Sequence, residues 1–269
     1  MRVGLAQMEI AFEDKEQNKA TCREFCARAA QAGVDLLLFP EMTLTGFSMH
    51  PERTGEREAD SPTLAFFREQ AQAHKLALCF GYVEASGERA ENRCVILDKT
   101  GKILASYAKI HPFSYGAEAQ FFQGGTQLVF VPWGDVTLAP TICYDLRFPE
   151  LYQALSRRAQ LITVIANWPT VRAAHWRALL QARAIENQCF IAAVNACGRL
   201  KNQEYPGDSC LIDPYGNLLT PVTHTPQLLT ADVNFDLVRQ YRSEFPLKND
   251  RREELYRSWY APAPKEEPQ

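Results

Sequence analysis

No stretch of this 269-residue chain approaches the roughly 18 consecutive apolar residues of a membrane-spanning helix, so no membrane partner is expected. There is no run of Lys and Arg, and 29 basic against 32 acidic residues leave a formal charge of −3. A nucleic-acid partner would need a basic footprint, and none is legible. No Cys-x-x-Cys pair and no Cys/His cluster at zinc spacing occurs, so no metal is expected. The opening MRVGLAQMEIAFED has one Arg, a short apolar stretch and then acids, a poor secretory leader, and the expected location is cytoplasmic. No Ser/Gly linker or break in composition divides the chain. Residues 1–260 are therefore expected as one domain and 261–269, APAPKEEPQ, as a disordered tail.

What is present is an ordinary globular mixture, 46% hydrophobic and 23% charged, long enough to bury a sizeable core. Strand-like and helix-like segments alternate nearly end to end. Residues 1–8 read as a strand. Residues 14–32 read as a helix, because Cys22, Phe25, Cys26, Ala29 and Ala30 follow a helical stripe that Gly33 stops. VDLLLF (34–39) is an apolar run suited to a strand covered on both faces. Ser61 and Pro62 open a second helix that runs to His74.

Strands follow at 76–84, 92–98 and 103–108, and then a loop at 110–126 that is long enough to suggest function. The second half predicts strands at 127–131, 136–142, 161–166, 189–195, 209–213 and 228–233, with helices at 149–158, 172–187 and 235–243. The fold class is α/β, with helices covering sheets and some antiparallel strands. Of the eight cysteines, all but Cys143 read as buried free thiols acting as small hydrophobes.

Three polar residues follow apolar strands directly, where open α/β sheets place ligand sites. Glu41 follows VDLLLFP, Lys109 follows ILASYA, and Cys143 follows VTLAPTI. Each has an ordinary alternative: a surface acid, a solvated charge, a buried structural thiol. A cysteine between a strand end and a helix start meets free N–H groups that favour its thiolate. Together the three supply a nucleophile, a proton acceptor and a fixed positive charge for an oxyanion. Asp145 and Arg147 are expected to form an ion pair holding the Cys143 turn, with substrate contacts as the alternative. Trp168, after strand 161–166, is a candidate pocket wall. Arg172 lies near the same sheet end, at the start of the next helix, with a structural or solvated role as its ordinary alternative. Phe113 and Tyr115 are placed to help close the site. A competing reading pairs Cys143 with His175 as a thiol acyl-transfer dyad, and another makes Cys143 a redox sensor.

LLLFPEMTLTGF (36–47), YAKIHPF (107–113) and ICYDLRFPEL (142–151) resemble the Glu, Lys and Cys motifs of the nitrilase superfamily of carbon–nitrogen hydrolases. NWPTVRAAHWRALLQARAIENQCFIAAVN (167–195) and the later YPGDSCLIDPYGN resemble its second half. The similarity runs over about residues 1–240, with the motifs in the family's order. CYDLRFPEL, NWP and HW-x-x-LL-x-ARAIENQ are similar to the omega-amidase-like branch, which acts on the terminal amide of short 2-oxo-dicarboxylic acid monoamides. The resemblance implies a four-layer α-β-β-α sandwich, a homodimer, a small-molecule amide substrate and no cofactor. The omega-amide substrate it implies has a carboxylate at its far end, for which Arg172 is a candidate bidentate grip. It also implies Cys143 as nucleophile, Glu41 as general base, and Lys109 with the Tyr144 backbone N–H as oxyanion donors. A further glutamate that orients the lysine in relatives is matched by Glu118 in SYGAEAQFF. N-carbamoyl amine hydrolases, deaminated-glutathione amidases and true nitrilases remain open within the same set. A member kept only as a binding protein would be expected to have lost one of Glu41, Lys109 and Cys143.

Overall fold

The computed structural model describes residues 1–260; the expected disordered tail, 261–269, lies outside the described residues. In chain order the elements begin with β1 (Arg2–Gln7), α1 (Lys15–Gln31), β2 (Leu36–Leu38), α2 (Pro51–Thr54), α3 (Pro62–His74), β3 (Ala77–Glu84), β4 (Glu91–Leu97), β5 (Ile103–Ala108) and α4 (Glu118–Phe121). The second half continues with β6 (Val131–Trp133), β7 (Val136–Ile142), α5 (Pro149–Leu155), β8 (Leu161–Ala166), α6 (Ala173–Asn187), β9 (Phe190–Asn195), β10 (Cys197–Leu200), β11 (Gln203–Pro206), β12 (Cys210–Ile212), β13 (Gln227–Asp232), α7 (Asp236–Glu244) and α8 (Glu253–Trp259).

One sheet has the order β13-β1-β2-β3-β4-β5 and the other β12-β9-β8-β7-β6. Its two-residue side-chain period lets β2 face both ways. Leu36 and Leu38 point toward the second sheet with Val3, Leu5, Cys79 and Ile96, and the facing side of that sheet carries Leu138, Leu161, Ile165 and Ala192, with Thr163 Oγ1 4.0 Å from Cys79 Sγ. Leu37, with Leu78 and Phe80, points outward under Cys22, Phe25, Cys26 and Ala29 of α1 and Leu64 and Phe67 of α3. On the far side, Tyr152 and Leu155 of α5 and Trp176, Leu180 and Ala184 of α6 cover the second sheet. The layers run α-β-β-α as expected. All eight cysteines are free and buried.

Each sheet has a parallel centre, β1-β2-β3 in one and β7-β8-β9 in the other. Parallel strands direct their carboxyl ends the same way, and this gathers Glu41 after β2, Cys143 after β7 and Asn167 after β8. Two expectations are corrected. The strand expected at 127–131 pairs only from Val131, as β6; Leu128 is exposed and Val129 and Phe130 pack on the core without a ladder. The turn-rich stretch at 197–206 had no assigned structure and forms the β10–β11 hairpin.

Candidate active site

Glu41 is positioned by backbone. After β2 the chain runs on beside β3, with Phe39 N–H donating to Cys79 O, Thr43 N–H to Gly81 O, and Gly81 N–H to Thr43 Oγ1. Met42 takes a left-handed φ of 46° to complete the turn. Gly81 is required at this crossing, since a Cβ there would lie 2.4 Å from Met42 N. The Asn167 side-chain amide donates to Glu41 O at 2.7 Å, tying the first sheet to the second.

The Glu41 and Glu118 carboxylates and the Lys109 ammonium are all fully buried. Lys109 Nζ donates to Glu41 Oε1 at 2.9 Å and to Glu118 Oε2 at 2.8 Å. Glu41 Oε2 accepts from the Asn167 backbone N–H at 3.0 Å. Glu118, on the short α4 inside the long loop, also accepts from Phe113 N–H. Burial disfavours the Lys109 charge, but Glu118 and Glu41 outweigh it and hold the ammonium protonated beyond the ordinary lysine range.

Cys143 follows β7 at a strained corner with φ 45°, in the left-handed region that a non-glycine residue seldom occupies. Asp145 holds this corner, although not through Arg147. Its buried carboxylate accepts from Ile142 N–H, Tyr107 Oη–H and His111 N–H, and pairs with the His111 ring. Arg147 instead turns into the pocket, its guanidinium 4.8 Å from the Trp168 ring centre and near Tyr144. The expected ion pair is absent because Asp145 is already saturated by donors closer to the corner.

The thiolate expected for Cys143 is corrected too. Burial first, and then the Glu41 carboxylate, push its thiol well above the ordinary cysteine value, and Lys109 only partly opposes them. The sulfur therefore needs a base to become the nucleophile.

A pocket of about 380 Å³ opens above Lys109 and Cys143. Its walls include Phe47, Tyr144, Trp168 and Tyr205, and its mouth carries Arg147, Arg172 and the β10–β11 tip at Lys201. Trp168 is fixed by Asn195, which exchanges hydrogen bonds with its backbone, and by Nε1–H donation to Arg172 O. Arg172 lies over the Phe113 ring. Phe113 lines the pocket, whereas Tyr115 is exposed and outside the lining. His175 is exposed, bonds Arg147 through Nδ1, and is not part of the pocket wall, so no Cys143–His175 dyad forms.

Every site residue singled out in the sequence except His175, Tyr115 and Asp145, which braces the Cys143 corner from behind, therefore borders one space or the buried cluster beneath it. Sequence reading missed Asn92, Asn167, Tyr205 and the hairpin. A thiol and a lysine ammonium on one cavity, with a buried carboxylate bonded to the lysine beneath it, are equipped for nucleophilic attack on a carbonyl and stabilisation of the resulting oxyanion. Among the described residues no cluster of His, Cys, Asp or Glu is placed to hold a metal ion, and no helix is long and apolar enough to cross a membrane.

A family model described as carbon-nitrogen hydrolase matches residues 2–243. The chain is 34% identical over 262 residues to omega-amidase YafV of Escherichia coli, covering 96% of this chain and 99% of that protein. It is 35% identical over 268 residues to 2-oxoglutaramate amidase of Paenarthrobacter nicotinovorans, covering 95% and 91%. A solved structure of a glutamate-to-glutamine mutant of the Nesterenkonia sp. AN1 amidase superposes with a TM-score of 0.85 at 28% identity, covering 96% of each chain. In that structure the acetamide moiety of fluoroacetamide is covalently added at the active-site cysteine.

Proposed function

Because the chain belongs to the carbon–nitrogen hydrolase family, whose members act on non-peptide carbon–nitrogen bonds, we propose that it is an omega-amidase. Its substrate is the terminal amide of a short 2-oxo-dicarboxylic acid monoamide of the 2-oxoglutaramate or 2-oxosuccinamate type. The observation that carries this reading is the buried Glu41–Lys109–Glu118 cluster beneath a pocket that opens on Cys143 and has two guanidiniums at its mouth. The named activities of the two amidase relatives point the same way.

In the proposed cycle Glu41 takes the Cys143 thiol proton as the sulfur adds to the amide carbonyl. Lys109 Nζ and the Tyr144 backbone N–H stabilise the tetrahedral oxyanion. Glu41 returns the proton to the leaving nitrogen, the C–N bond breaks, and ammonia departs from a Cys143 thioester. Glu41 then takes a proton from water, whose oxygen adds to the thioester carbonyl. As the C–S bond breaks, Glu41 returns this proton to the sulfur, giving the carboxylic acid and the free thiol. Glu118 anchors Lys109 throughout. Arg172 and Arg147 are the candidate partners for the substrate's far carboxylate, with Trp168 as the wall that orients it; an arginine over an aromatic ring is already preorganised for such a grip.

The proposal includes one domain over 1–260, a homodimer and a cytoplasmic location. Eight unpaired cysteines suit a reducing compartment. Light scattering on a sizing column tests the dimer. The substrate is tested by ammonia release from 2-oxoglutaramate and 2-oxosuccinamate, beside glutamine, a simple nitrile and an N-carbamoyl amine. Fast release from the two oxo-amides is expected. Release from a control alone would keep the chemistry and overturn the substrate.

A further inference from the structure

Asn92 touches all three members of the buried cluster. Its Nδ2 donates to Glu41 Oε1 at 2.7 Å and to Glu118 Oε1 at 2.9 Å. Lys109 Nζ donates to the same two oxygens at 2.9 and 3.1 Å. Two donors and two acceptors thus close a square, and the Asn92 carbonyl accepts the Lys109 backbone N–H at 2.9 Å. Asn92 Oδ1 finds no partner among the described residues, so the polar bonding of this side chain goes wholly to the two carboxylates.

We propose that Asn92 is a positioning residue: its amide supplies the second bridge that lets two carboxylates stand side by side around one lysine, leaving Glu41 free to take the Cys143 proton. This rests on Glu41 being the base. The residue type follows from the geometry. A primary amide offers one N–H to each carboxylate and adds no charge. A serine has one proton to give, an aspartate would add a third carboxylate, and a leucine would leave Lys109 alone between like charges. Such a pair takes up a proton more readily as pH falls. The other titratable groups bearing on the square are Cys143 and Tyr205; burial, with Glu41 and Cys143, holds the Tyr205 hydroxyl well above the ordinary tyrosine value.

The test is the pH dependence of Cys143 alkylation by iodoacetamide, followed by peptide mass, in the wild-type protein, Asn92→Leu, Asn92→Ser and Glu41→Gln. Circular dichroism and melting temperature establish that each variant is folded. In Asn92→Leu the low-pH limb is expected to move up, so that labelling at pH 6 relative to pH 8.5 falls about tenfold below the wild-type ratio. Asn92→Ser is expected to lie between. A folded Asn92→Leu whose profile parallels the wild type overturns the proposal; if that variant does not fold, a wild-type limb in Asn92→Ser does so. Labelling requires no substrate, so failure of the omega-amide reading leaves this result standing. A wild-type profile in Glu41→Gln would instead remove the base on which the proposal rests.

Discussion

Replacing Gly81 by alanine acts on Glu41 through the backbone alone. The added Cβ would lie 3.0 Å from Glu41 C and Cα and 2.4 Å from Met42 N, the last about 1 Å short of ordinary contact at 3.4 Å. None of these atoms belongs to a flexible side chain, so the relief has to come from moving the Pro40–Thr43 segment or bending β3. Moving the segment stretches the Thr43 N–H bond to Gly81 O, now 2.9 Å, and shifts the Glu41 carboxylate relative to Lys109, Asn92 and Cys143. Overpacking of this kind costs about 1–3 kcal/mol of stability. A displacement near 1 Å at a reacting group costs about 100-fold in rate. Gly81→Ala is therefore expected to remain folded, to melt several degrees lower, and to lose about two orders of magnitude in ammonia release at saturating substrate. The readouts are thermal melting and steady-state kinetics. A folded variant with turnover within twofold of wild type would refute the claim that this backbone crossing sets the carboxylate.

Further outcomes follow from other parts of the structure. Asp145→Ala removes the acceptor of Tyr107 Oη–H, Ile142 N–H and His111 N–H, and is expected to cost about 3 kcal/mol in urea unfolding; a loss near zero would mean the corner is held elsewhere. Arg147→Met and Arg172→Met are expected to raise KM for a carboxylate-bearing amide at least about tenfold, with a smaller change in kcat and little effect on an uncharged amide. Equal effects on both substrates would remove the arginine from carboxylate recognition. Lys248, whose Nζ donates to Ser156 Oγ, has its pKa pulled down to about 7 by burial and by Arg242. The unfolded chain holds this proton up to about pH 10.5, so the native state is penalised below pH 7 and relieved as pH rises from 7 toward 10.5. Lys248→Met is accordingly expected to raise the melting temperature by a few degrees at pH 6 and to lose that advantage by pH 10.5; the opposite trend would contradict the burial of this amine.

The parts of the site that were legible in sequence are those that interrupt a strong local pattern. Glu41, Lys109 and Cys143 each end an apolar strand, and a charge or thiol at that place stands out against its neighbours. Cover on both sides of the first sheet was legible from Leu36, Leu37 and Leu38, an unbroken apolar run, whereas the order of the four layers came from the resemblance to the nitrilase superfamily. Asn92 was invisible because an asparagine near the start of a strand has no unusual local context; its meaning comes from Glu41 and Glu118, which are 51 and 26 residues away. Asn167 hides for the same reason, meeting Glu41 across 126 residues. Arg147 was assigned to Asp145 by proximity in sequence, yet three donors from other elements reach that carboxylate first. The β10–β11 hairpin escaped notice because Lys201 and Asn202 give a weak turn signal and four-residue strands give hardly any period.

The most direct test of the chemistry is an acid quench during turnover of 2-oxoglutaramate, followed by peptide mapping. The expected result is an adduct on the peptide containing Cys143, equal in mass to the substrate less ammonia, which disappears in Cys143→Ala together with ammonia release. Persistent turnover in Cys143→Ala, or an adduct on any other residue, would contradict a Cys143 thioester and with it the central claim.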